Sequence, residues 1–479
     1  MKNKIIYTIL LSGLISWGCK VAKPVQIPDT VTPPEKFSAT TDTTNIGLAP
    51  RKVFFKDKFL QSLIDTALQH NTDLLASLQR IEAARASLMV AKGNLYPSLN
   101  AVVSAGVDKY GNYTQNGVGN WDTNLSPNID KDQHIPQPGV PDYMLGFRSS
   151  WEVDIWGKLK NKKAAALAKF IASENATQFL KTTIVANIAG AYYELLALDN
   201  ELKIVEHNST LQKAASEVVK VQKEGGRATQ LAVQQFEAQL FETQSIEYNI
   251  RQEITATENY INLLMGRFAQ PILRDTTFNQ AILVKQMQTG VPSSLLLNRP
   301  DIREAEMQLH GAKADVKAAR AAFFPSFTIT PYAGLNAFSA ALFFNVGSLA
   351  YGIVGSLTAP IFNNKQNQAN YTGAIAQNKE AYYNYQRSII SSFNEVTTDI
   401  SKIENTQKAL TLREKQVTEL KNAVGSAKDL YLAGYASYLE VITAQKSVLQ
   451  AEIELNDKKK ELFQTQISLY KSLGGGWRE

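Results

Sequence analysis

The side chains able to carry chemistry are few and scattered over the 479 residues. The four histidines, His70, His134, His207 and His310, stand alone. None belongs to an HExxH or similar helical pair, so nothing supports metal catalysis and no metal site is expected. There is no phosphate-binding loop and no nucleophile elbow. Gly117-Val118-Gly119 lacks the third glycine of a dinucleotide fingerprint, so no cofactor is expected. The one cysteine, Cys19, excludes a disulfide framework or a thiolate cluster within one chain. Its setting points to another chemistry. Lys2 and Lys4 precede a 13-residue apolar run, Ile5 to Trp17, which ends in Gly18-Cys19. That order reads as a secretory signal over residues 1–18. The run is shorter than the about 20 residues that span a bilayer. Ser16-Trp17-Gly18-Cys19 approximates a lipobox, in which the Cys19 thiol is acylated once the signal is removed; plain signal cleavage is the alternative. With no catalytic set, the chain reads as a non-enzyme.

Composition places these residues in a folded protein. The chain is 44% hydrophobic and 20% charged, which excludes wholesale disorder. A net charge of +6 over this length is too weak to argue for nucleic acid. Residues 19–56, rich in Pro, Thr and Lys, read as a tether. No segment offers 18 uninterrupted apolar residues, which leaves a closed β-barrel as the way to cross a membrane.

The rest is written twice. Residues 71–99 align with 299–327 without a gap, and Gly226-Arg227-Ala228 aligns with Gly434-Tyr435-Ala436. Residues 57–267 form a first repeat and 298–479 a second, with a linker over 268–297. Three- and four-residue spacing predicts helices over 57–95, 158–223 and 228–265, then over 298–323, 365–432 and 436–473. Some 66 residues of helix reach about 100 Å, a length suited to coiled coils. Val441, Val448, Leu455, Leu462 and Leu469 recur at seven, as do Val233, Leu240, Ile254 and Ile261, interrupted by Glu247. Strict alternation predicts strands over 98–110 and 141–156, and again over 326–338 and 349–362. A half-buried soluble sheet shows this pattern, and so does a membrane barrel with an apolar lipid face and a polar lumen. Four strands cannot close a barrel of about eight or more, so closure requires several chains. Three would give twelve strands; two or four stay open. The long connection over 110–141 reads as an exposed loop.

Five segments carry a family resemblance. They are Asn298-Arg299-Pro300-Asp301-Ile302 with Ala305-Glu306; Phe323-Phe324-Pro325; Trp151 to Lys158; Ala359-Pro360-Ile361-Phe362; and Leu469 to Trp477. Together they resemble the TolC-like outer-membrane factors, in particular the lipoprotein branch of resistance–nodulation–division efflux systems. Asn363-Asn364 depart from the Asp or Gly common there. The resemblance implies a mixed α and β membrane protein: a homotrimer whose twelve-stranded outer-membrane barrel, four strands per protomer, continues into a long periplasmic α-helical coiled-coil barrel. It places the linker in an equatorial region. It implies outer-membrane lipid, a periplasmic adaptor of the membrane fusion class and an inner-membrane pump as partners, with no nucleic acid. The implied function is passive export of drugs or other small toxic compounds. A channel for type I protein secretion or metal-ion efflux is the alternative, and a non-conducting coiled-coil scaffold a third reading. In this family acidic residues after the second helical turn ring the periplasmic aperture. Glu440 holds the first of those positions, and Thr443 occupies the second. Tyr431 matches an aromatic that ties the closed turns, and Leu439 adds an apolar constriction. The turn tips, Gly225, Gly226, Arg227, Gly434 and Tyr435, are the expected adaptor-docking surface.

Overall fold

The computed structural model describes residues 46–274 and 298–478, with Pro34, Phe278, Pro292 and Leu295. The signal segment, Cys19 and most of the expected linker lie outside the described residues. The helices are α1 (Arg51–Phe54), α2 (Lys58–His70), α3 (Thr72–Gly93), α4 (Gln115–Asn124), α5 (Lys158–Glu224), α6 (Gln230–Leu264), α7 (Pro300–Ala321), α8 (Gln366–Leu432) and α9 (Tyr438–Ser472). The strands are β1 (Ser98–Asp108), β2 (Val140–Val153), β3 (Ser326–Ala337) and β4 (Leu349–Thr358). The duplication is visible in the lengths: α3 and α7 have 22 residues each, α5 and α8 have 67, and α6 and α9 have 35. Among the described residues no helix is long and apolar enough to cross a membrane.

The chain divides into two units. The first comprises residues 83–170 and 308–382. Its centre is one antiparallel sheet in the order β1-β2-β3-β4. Pro97 ends the helical run before β1. Strand β2 stops at Val153, short of the expected 156, because the next residues build the start of α5. The Asp154 carboxylate accepts from the amides of Leu159 (2.9 Å) and Lys160 (2.7 Å), Gly157 takes φ +73, and Lys158 pairs with Glu152. The Trp156 indole donates to the Pro325 carbonyl at 2.8 Å and stacks on Phe324. The shared Trp151 to Lys158 segment is thus a strand-to-helix joint. Strand β4 likewise stops at Thr358 rather than 362: Pro360 has no amide to give, and Asn364 and Lys365 take φ of 52 and 64. Asparagine tolerates that left-handed turn, which accounts for its departure from glycine. The expected loop between β1 and β2 contains α4, whose Asn124 side chain exchanges two hydrogen bonds with the Ile135 backbone, at 2.9 and 2.8 Å.

The second unit comprises residues 29–82, 171–307 and 383–479. The helix expected over 57–95 is broken at Asn71. Its amide donates to the Leu264 carbonyl (2.8 Å), while its oxygen accepts from the Leu74 amide (2.9 Å) and caps α3. Arg299 repeats the arrangement, donating to the Ser472 carbonyl at 3.0 Å and to Asp301 and Glu395 at 2.7 and 2.8 Å. Burial works against the Arg299 charge, but these carboxylates outweigh it and raise its pKa. Each joint also needs a left-handed glycine: a Cβ on Gly266 (φ +66) would lie 2.3 Å from the His70 carbonyl, and one on Gly474 (φ +87) 2.9 Å from that of Asn298. The tether expected through residue 56 ends earlier. Phe54 and Phe55 are buried against Tyr470, with Phe54 stacked on it at 4.0 Å, because the last residue of α1 and the capping residue after it both enter the core around Tyr192 and Ile188. Part of the expected linker is anchored too: Arg274 donates to Asp199 and Glu258 at 2.5 and 2.6 Å. Glu247 interrupts the α6 heptad by pairing with Arg251, which bridges to Glu206 of α5.

Candidate functional site

In the first unit the site is a surface. Ladder register places Val103, Leu145, Leu335 and Leu349 in one row across the sheet, and Ala101, Phe147, Ala333 and Tyr351 in the next. These apolar side chains are not covered by the chain: Val103 is 78% exposed, Tyr351 76% and Ile353 73%. The opposite face carries Asn100, Ser104, Arg148, Ser150, Thr328, Thr330, Asn336 and Ser356, mixed with Gly146, Gly334 and Gly352. A sheet with one broad exposed apolar face suits a lipid contact, and its small polar face suits water. β1 and β4 each pair on one side only, leaving open edges.

In the second unit the site is the pair of helical turns. At the first, Gly225-Gly226 follow the end of α5, Gly226 takes φ +69 and the Arg227 amide donates to the Gln222 carbonyl at 2.7 Å. At the second, Gly434 takes φ +82 and the Tyr435 amide donates to the Leu430 carbonyl at 2.9 Å. Both are the six-to-one closure that satisfies orphan carbonyls at a helix end. Thr229 caps α6 through the Ala232 amide at 3.1 Å. Gly225, Gly226, Arg227 and Gly434 are exposed, as is Tyr435 at 86%. Behind them Val219, Ala232, Val233, Phe236 and Val441 form a small core with Tyr431 and Tyr438 packed on it.

The Tyr431 hydroxyl donates to Gln222 Oε1 at 2.5 Å, so the end of α8 is tied to the end of α5 within one chain. Burial raises the Tyr431 pKa, which keeps it a donor. Gln222 is a site residue that pattern reasoning missed; a polar residue in the last turn of a helix carries no distinctive signal. Glu440 lies in the first turn of α9 and accepts from the Ser437 hydroxyl at 2.5 Å. That bond, with the Glu440 and Ser437 amides, holds its pKa below the ordinary carboxylate value. Glu440 is therefore ionised at neutral pH, fully exposed, and also serves as a helix cap. Leu439 and Thr443 are exposed one turn apart on the same helix. The turns thus bring Tyr431 and Gln222 together, and leave Glu440 beside Ser437.

The profile of the outer membrane efflux protein family matches residues 63–267 and 291–475, one block for each repeat. The chain belongs to the outer membrane efflux protein family. As a member it is an outer-membrane efflux channel, and the family's proteins are channels rather than enzymes. It is 28% identical to the cation efflux system protein CusC of Escherichia coli strain K12, over 96% of each chain. It is 30% identical to the probable outer membrane lipoprotein SilC of Salmonella typhimurium, over 89% of this chain and 88% of that one. It is 29% identical to the solvent efflux pump outer membrane protein SrpC of Pseudomonas putida, over 90% of this chain and 88% of that one. A crystal structure of CusC superposes with a TM-score of 0.81, at 27% identity, over 96% of this chain and all of that one. Family membership gives the exposed sheet face its physical setting: an outer-membrane protein can leave such a surface against lipid.

Proposed function

We propose that three copies of this chain close one channel, passing cargo from a periplasmic adaptor and an inner-membrane resistance–nodulation–division pump to the exterior. The observation that carries this reading is the apolar sheet face, in register over four strands and bounded by two open edges. Three sheets joined β4 to β1 make a closed twelve-stranded barrel with no edge left in lipid. The turns form the periplasmic aperture: Glu440 rings it with charge, Thr443 and Leu439 line it, and the Tyr431–Gln222 bond holds it shut. Gly225, Gly226, Arg227, Gly434 and Tyr435 meet the adaptor. Cys19 carries the acyl anchor, consistent with the lipoprotein name that SilC bears. The cargo is drugs or other small toxic compounds. Metal ions are the second reading, favoured by the likeness to CusC over 96% of each chain.

The test is an outer-membrane extract run unheated and heated, followed by reconstitution in planar bilayers. A heat-modifiable trimer that conducts supports the proposal; a water-soluble, non-conducting protein overturns it. Deletion followed by a susceptibility panel of drugs, solvents and metal salts separates the two cargo readings.

A further inference from the structure

The polar face of the sheet holds one cation among its described residues, Arg148 near the middle of β2. Register sets it in a row with Asn100, Tyr332 and Gly352. The row toward the loops consists of Val102, Gly146, Gly334 and Ala350, all small. Space there is short at the backbone: a Cβ on Gly146 would lie 2.7 Å from the Gly334 Cα. The Tyr332 ring lies over Gly352, where an added Cβ would meet it at 2.7 Å, so it leans away from Arg148. The acids of the same face are placed elsewhere or engaged. Glu152 pairs with Lys158, Asp142 accepts from Asn336 at 2.7 Å, and Asp108 ends β1 at the loop side. Arg148 is exposed, and no ion pair engages it among the described residues.

A guanidinium cannot shed its charge, and it stands here on a face that mixes hydroxyls, amides and glycines with a few apolar residues such as Val102 and Met144 and the acids named above. We propose that Arg148 is a charge-selecting residue of the conduit. Three copies form a cationic ring inside the barrel that favours anionic or neutral organic cargo and opposes free small cations. The inference rests on the trimeric barrel reading with the polar face inward, and deepens it by naming a cargo class. Rings of fixed charge at a narrow level set selectivity in this way. Arg148 and Tyr332 are among the longest side chains of the face and share one level, so a closed barrel narrows there.

The test uses the full-length trimer in planar bilayers under a potassium chloride gradient. Arg148→Glu should raise the cation-over-anion permeability ratio roughly fivefold, whereas Arg148→Lys should leave it near wild type. Arg148→Cys should react with a negatively charged methanethiosulfonate during conduction and change the current; the parent protein, whose sole cysteine is Cys19, is the control. If the wild-type trimer conducts but Arg148→Glu leaves the ratio unmoved and Arg148→Cys is unreactive, the inference falls while the barrel reading stands. If the wild-type protein neither trimerises nor conducts, both fall.

Discussion

Glu440 illustrates how one exposed carboxylate can hold two roles. As a cap it accepts from Ser437 and lies at the positive end of a 35-residue helix. As a ring member it would supply charge to an aperture. The two roles separate by isostere. Glu440→Gln keeps an acceptor for Ser437 and removes the charge, whereas Glu440→Ala removes both. Both variants should lower the cation-over-anion permeability ratio of single channels, since a ring of fixed charges acts by its field and adds to that of Arg148. Glu440→Ala should also weaken the start of α9 more than Glu440→Gln does, because it removes the acceptor for Ser437 as well as the charge. Trimer yield should be unchanged in both. Equal reversal potentials for wild type and Glu440→Gln would remove Glu440 from the aperture and leave it a cap. Neighbouring Thr443 cannot compensate, because its hydroxyl carries no charge.

At the scale of elements, the joints between helices carry the specificity. Asn71 ends one helix, caps the next and ties α3 to the end of α6. Asn71→Ala removes the cap and leaves the part-buried Leu264 carbonyl without this partner, which should cost about 1–2 kcal/mol. Thermal unfolding of the purified trimer measures that loss, and Asn71→Asp should recover the cap but not the bond to Leu264. A second prediction concerns pH. Burial, with repulsion from Asp457 outweighing Lys460, raises the Glu201 pKa from 4.5 to about 7. The folded chain therefore holds a proton there that the unfolded chain releases near 4.5. Stability from this group is present at low pH and lost as pH rises from about 4.5 to about 7. Glu201→Gln should then stabilise the fold by about 1 kcal/mol at pH 8, discounted for partial solvent access, and be neutral at pH 4.5. A melting difference that grows toward acid would refute the assignment. Legibility follows the same logic. The long helices and both turns were readable because no proline and few glycines interrupt them, and α5, α6, α8 and α9 end within two residues of the sequence-based limits. The break at Asn71 was not, since asparagine in a helical pattern becomes a stop only when Leu264 stands opposite it. The burial of Phe54 and Phe55 was hidden likewise, because their partner Tyr470 lies over 400 residues away. The turn residues of the site were legible as glycines, and Gln222 was not.

At the scale of the whole molecule, the sheet poses a problem that one chain cannot solve. Its polar face needs water, its apolar face needs to leave water, and its edges need partners. A trimer in a bilayer meets all three demands at once, which makes the two faces unequal in a measurable way. Val103 and Ser104 are neighbours on β1, 78% exposed in the one case and on the opposite face in the other. Val103→Lys would place an ammonium in lipid at about 2–4 kcal/mol per copy when near the midplane. Three copies multiply that penalty, so the variant should fail to accumulate in the outer membrane as a heat-modifiable trimer. Ser104→Lys puts the same charge on the watery face and should assemble normally, with a conductance altered by its field. A half-buried soluble sheet also makes Val103→Lys costly, but as a loss of folded water-soluble protein rather than of a membrane-embedded trimer. Equal tolerance of both lysines in the membrane-embedded trimer would refute the lipid-facing assignment, and with it the closed barrel on which the selectivity of Arg148 depends.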